Sequence, residues 1–117
     1  MMGVGRFLKE RNPRVRLIAV QPDDPLHGME GLKHLATAIV PPIYDPTVAD
    51  ETVYVSTERA DATVRELARN EGLFVGWSAG AALAVARDIL DKDAVIVAVA
   101  PDSGNRYLSE SRRRLET

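Results

Sequence analysis

The seven residues Ala94-Val95-Ile96-Val97-Ala98-Val99-Ala100 carry no polar side chain. A run this short cannot span a membrane, and it reads as a strand buried on both faces, as in parallel sheets covered by helices on each side. Helices must then supply the covering layers, and the rest of the chain offers them. Met1, Val4, Phe7 and Leu8 have helical spacing in a segment running to Asn12, which Pro13 ends. Val15–Val20 and Thr52–Val55 read as short strands. Ser56 or Thr57 caps a helix running to about Asn70, with Val64, Leu67 and Ala68 inward and Gly72 closing it. Leu73–Val75 reads as another strand, followed by a small-residue helix from Ala79 to about Leu90. Strands alternating with helices predict an α/β class: a three-layer, Rossmann-like domain with a mostly parallel sheet.

Between Gln21 and Asp50 the pattern breaks. Five of the seven prolines fall there, together with Gly28 and Gly31, and a helical turn is expected within residues 30–37. Long connections of this kind often carry function, although a plain surface excursion fits the composition equally. The absence of cysteine removes disulfides, thiolate metal sites and cysteine nucleophiles, and two histidines make a structural zinc site a poor fit. A net charge of −2 gives no electrostatic case for nucleic acid. Without an apolar span or signal-peptide core, the expected setting is soluble and cytoplasmic, with no membrane partner.

Gly76-Trp77-Ser78-Ala79-Gly80 matches G-x-S-x-G between a predicted strand and helix, the context of a hydrolase nucleophile elbow. That chemistry needs a histidine after the serine, and His27 and His34 both precede it. Ser78 could simply cap the helix. The small neighbours Gly76, Gly80, Ala81 and Ala82 suit instead the approach of a flat group to the backbone. Ligands of open α/β sheets collect at the carboxyl ends of strands, where Ser78 and Asp102-Ser103-Gly104 both fall.

The stretch Glu71–Ala82 closely resembles part of the cysteine synthases, the O-acetylserine sulfhydrylases of the pyridoxal phosphate β-family, also called fold type II. The likeness continues in Pro101–Ser109, in Met2–Lys9 and in Gly31–Asp45, so that it covers about residues 2–109 in order. It implies that residues 1–117 are a C-terminal portion of the larger, cofactor-binding domain; the charged residues 111–117 read as a solvated tail. It implies pyridoxal 5'-phosphate as cofactor, bound by Ser78 and Gly76 with Asp102 and Ser103 beside the pyridine edge. The Ser78 hydroxyl would hydrogen-bond the pyridine nitrogen. Being a weak acid, it would leave the ring a modest electron sink, which suits β-elimination over transamination. Gly31 and Lys33 would face the substrate, Lys33 pairing with an anionic leaving group such as the phosphate of O-phosphoserine. An exposed lysine on a turn, and an ordinary loop at Asp102–Ser103, are the plain alternatives.

The activity so implied is replacement of the β-substituent of an activated serine, such as O-acetylserine, by sulfide to give cysteine. The family's Schiff-base lysine has no counterpart at Lys9, Lys33 or Lys92, so no catalytic residue is assigned here and no metal is called for. The isolated chain is expected to be inactive, to require a missing N-terminal half, and to self-associate as a homo-oligomer through uncovered apolar surface. Sister enzymes such as cystathionine β-synthase or serine/threonine dehydratase, or a non-catalytic binding module, are the alternatives.

Overall fold

The computed structural model describes residues 1–89 and 91–109; the expected tail and Leu90 lie outside the described residues. The first helix, α1 (Met2–Arg11), carries Lys9 and Arg11 in its last turn, where cations complement the helix dipole. Asn12 closes it in extended geometry, its N–H donating to the Leu8 carbonyl at 2.8 Å. Gly5 is the buried point of α1, because a Cβ there would lie 2.7 Å from Val48 Cγ1. Asp50 ties the helix to the segment that leads into the sheet, accepting from Lys9 Nζ and from the Leu17 N–H, each at 2.7 Å. The hydrogen bond from Lys9, and then that from Leu17, hold the Asp50 carboxyl below its ordinary range.

Strands β1 (Ile18–Pro22) and β2 (Glu51–Val55) form a parallel pair, in register from Ile18 opposite Glu51 to Pro22 opposite Val55. The strand expected at Val15–Val20 therefore begins three residues later. A turn in which Val15 N–H donates to Asn12 O at 3.1 Å uses up the residues after α1. Asp50 engages the Leu17 N–H, and pairing starts beyond it. Within the long connection, Thr37 and Ala38 N–H both donate to His34 O at 3.1 Å, the helical turn that the sequence suggests.

Helix α2 (Thr57–Glu71) starts as predicted, with Ser56 accepting from the Arg59 N–H, and ends at Gly72 with φ 67°, in the left-handed region that glycine tolerates. Helix α3 (Trp77–Arg87) packs against it so closely that a Cβ at Gly80 would come within 2.5 Å of the Ala60 carbonyl oxygen. Arg59 fastens the far end, donating to Ala84 O at 3.0 Å and pairing with Asp88. The core gathers Met29, Val55, Ala60, Val64, Trp77, Ala81, Val85 and Tyr107, with Ile18, Val20 and Val53 of the sheet packed against it.

Two predicted strands do not form. Leu73–Val75 makes only an isolated antiparallel bridge, Val75 to Ser103, because its neighbour is the 102–104 loop and Gly76 already begins α3. Ala94–Ala100 is not a strand, and Val95, Val97 and Val99 are 93%, 87% and 73% exposed. Strand propensity expresses fit to a pleated neighbour, and no strand of the described sheet lies alongside this run. The remaining architecture keeps the α/β class and the parallel sheet.

Candidate functional site

Four of the residues singled out by sequence meet at the N-terminus of α3. Gly76 is its N-cap, with φ −76° and ψ 170°, and no side chain caps the helix. Ser78 therefore does not cap α3; it sits half-buried in the first turn, behind Gly76. The 102–104 loop is laced to the preceding backbone: Gly76 N–H donates to Asp102 O at 3.2 Å and Gly104 N–H to Phe74 O at 3.1 Å. Ser103 caps a 3-10 turn (Gly104–Tyr107), its hydroxyl accepting from the Asn105 N–H at 3.2 Å. Ser103 is exposed beside Ser78's turn, whereas the Asp102 carboxylate faces inward.

Sequence reasoning did not single out Tyr107, although it lies in the Pro101–Ser109 stretch. Its hydroxyl donates to Asp102 Oδ2, and its ring stacks on Trp77. The hydrogen bond to Asp102, and then burial, push the phenol above its ordinary value. A tyrosine five residues after a loop aspartate, with a single tryptophan one residue before the candidate serine, was the available signal.

Gly31 and Lys33 belong to a different feature. They line a cleft of ≈ 320 Å³ with Met1, Met2, Gln21, Tyr44 and Asp45, and none of Gly76, Ser78, Asp102 or Ser103 is among its walls. Gly31 has φ +87°, so the turn after buried Met29 requires glycine there. Lys33 is exposed at the cleft. Asp45 is bound to α1 on two sides, its N–H meeting Met2 Sδ at 3.2 Å and its carboxylate meeting Arg6 at 3.5 Å. The Thr47 hydroxyl and N–H hold that carboxyl below its ordinary range. Gln21 forms the floor and accepts from the Leu35 N–H at 3.1 Å. The free first turn of α1 borders the same cleft, with no side-chain cap and open space where a Cβ at Gly3 would be.

These features fit a flat, anionic cofactor. A hydroxyl stands on an uncapped helix turn, and a second uncapped helix N-terminus, with space beside it, suits a phosphate. Among the described residues no helix is long and apolar enough to cross a membrane.

Comparison with known proteins agrees with this chemistry. The family model described as "Pyridoxal-phosphate dependent enzyme" matches residues 1–102. The chain is similar to a cysteine synthase of Aquifex aeolicus, 48% identical over 115 residues that cover 93% of this chain and 35% of the relative. It is 37% identical to cysteine synthase B of Escherichia coli, covering 92% of this chain and 36% of that protein. Among solved structures, cysteine synthase from Entamoeba histolytica superposes with a TM-score of 0.84 at 28% identity, covering 96% of this chain and 36% of that one. O-ureido-L-serine synthase superposes with a TM-score of 0.81 at 36% identity, covering 92% and 37%. The chain thus spans about a third of the length of the relatives it matches. With a family match over residues 1–102, the chain belongs to the pyridoxal-phosphate dependent enzymes and is cysteine synthase-like.

Proposed function

We propose that these residues are the C-terminal part of a cysteine synthase, contributing the cofactor-ring and substrate-entrance walls of its active site. The observation that carries this reading is Ser78, a hydroxyl in the uncapped first turn of α3 with the 102–104 loop laced beside it. Bound pyridoxal phosphate supplies an electron sink for charge developing at the Cα of an amino acid. Ser78 would hold the ring nitrogen through its hydroxyl and so set the tilt of the ring, with Ser103 at the ring edge. The first N–H groups of α1 would hold the phosphate, aided by the positive end of the helix dipole.

The substrate would be an activated serine, with sulfide as the incoming nucleophile and cysteine as the product. Gly31 leaves the cleft open beside the substrate, and Lys33 presents a point charge to an anionic leaving group. Lys9, Lys33 and Lys92 stand in no motif matching the family's Schiff-base lysine, so the 117 residues alone are expected to bind the cofactor without making cysteine. The working enzyme needs a further, lysine-bearing half, and it is expected to be a cytoplasmic homo-oligomer.

Trp77, the single tryptophan, adjoins Ser78 and offers the test. Titrating the chain with pyridoxal phosphate should quench its emission saturably, since the cofactor absorbs where tryptophan emits. Ser78→Ala should weaken that binding about tenfold, the worth of one hydrogen bond to a polar ligand atom. Absence of saturable quenching would overturn the reading, as would cysteine production by the isolated chain for its second half.

A further inference from the structure

The Asp102 carboxylate is turned toward the core. Oδ2 accepts from the Tyr107 hydroxyl, and Oδ1 is buried with no hydrogen-bond partner among the described residues. Oδ1 occupies the space in front of the Gly76 Cα, where any Cβ would collide with it, and the Tyr107 ring stands 2.9 Å from the same point. The backbone is held as firmly. Asp102 O accepts from the Gly76 N–H, and Ser103 pairs with Val75. Wherever Asp102 is held, the turn carrying Ser78 and the loop carrying Ser103 are held with it.

The anchor runs back into the core. Tyr107 stacks on Trp77, Trp77 Nε1–H donates to Asp61 Oδ1 at 3.1 Å, and Asp61 Oδ2 accepts from Arg65 Nε at 2.8 Å on α2. A negative charge under the N-terminus of α3 is also favoured by that helix's dipole, in a helix that no side chain caps.

We propose that Asp102 is a positioning residue: clamped by Tyr107 beneath Gly76, it fixes where Ser78 and Ser103 stand and does not itself touch the cofactor. The proposal rests on the reading that Ser78 meets the cofactor ring. It also explains why position 76 takes glycine, since the clamp uses the volume of the missing side chain.

Two measurements on the full chain test it. In the first, pyridoxal phosphate binding is followed by Trp77 quenching in a double-mutant cycle. Asp102→Ala should weaken binding roughly tenfold, and Asp102→Asn, whose amide oxygen still accepts from Tyr107, should recover to within about threefold of wild type. In the Ser78→Ala background, Asp102→Ala should cost much less than in the wild type, because most of its effect passes through Ser78. Additive losses, or no loss at Asp102→Ala, would overturn the proposal. The second measurement needs no cofactor. Trp77 emission should show a step at high pH as its stacked neighbour Tyr107 ionises. The step should vanish in Tyr107→Phe and fall toward the ordinary tyrosine value of 10.0 in Asp102→Ala. If wild type fails to bind the cofactor, the functional reading falls by itself. The clamp is then judged on the emission step, and a step unmoved by Asp102→Ala would overturn it.

Discussion

Trp77 and Tyr107 stack in the core with ring centroids 4.9 Å apart and planes inclined at 41°. This contact joins the first residue of α3 to the end of the 3-10 turn, and so couples the candidate cofactor turn to the loop beside it. Its stability should depend on pH. Tyr107 has its ionisation raised above 10.0, first by the hydrogen bond to Asp102. Below the ordinary tyrosine value the phenol is neutral in folded and unfolded chains alike, and its contribution is fully present. As pH rises past that value the unfolded chain ionises first, and the contribution declines until pH passes the folded value. Urea midpoints measured from about pH 8 to about pH 12 should fall more steeply for wild type than for Tyr107→Phe. Parallel curves would refute this.

The α2–α3 crossing depends on the bareness of Gly80. An added methyl would meet the Ala60 carbonyl oxygen at 2.5 Å and Val64 Cγ2 at 2.6 Å, and neither backbone nor β-branched side chain can swing aside cheaply. Gly80→Ala should therefore destabilise the fold by about 1–3 kcal/mol, despite alanine's better helix propensity. Equilibrium denaturation would show it, and an unchanged or raised midpoint would mean that the helices separate without cost.

Gly31 should fail for a different reason. Nothing lies within 4 Å of a Cβ built there, so the cost is conformational, from φ +87°. Gly31→Ala should cost about 1 kcal/mol of stability, and Gly31→Asn less, because asparagine enters the left-handed region more readily. Equal losses for the two variants would show that the turn does not depend on that dihedral angle.

Local signals in the sequence carried the helices and failed for two strands, and the difference is physical. Ser56 as cap, Gly72 at the end of α2 and the apolar face at Val64 are all local, and each formed where the spacing predicts. The run Ala94–Ala100 carries strong strand propensity but no information about a partner, and a strand exists only in a ladder. At the site, Gly76 and Ser78 were legible as the start of a helix rich in small residues, and they stand at the cap and in the first turn of α3. The inward aim of Asp102 was not, because it depends on Tyr107, and that pairing is decided by how the 3-10 turn packs on Trp77. Lys33 and Ser78 looked like parts of one site in sequence, yet the cleft that Lys33 lines has other walls.

The exposed run gives the last prediction. Along Ala94–Ala100 the odd-numbered valines Val95, Val97 and Val99 stand almost fully open, while Ile96 is 42% exposed and Ala98 half-buried. That alternation presents one continuous apolar ribbon, without proline or charge, to anything that can pair with it. The chain should therefore associate with itself as concentration rises. Val97→Lys should shift the population toward monomer with little effect on the urea midpoint, because Val97 packs against nothing that the substitution would unmake, being 87% exposed. Sedimentation velocity over about a hundredfold range of concentration would read both chains. A monomeric wild type throughout would exclude association through this ribbon, and equal association by Val97→Lys would move the contact to another surface.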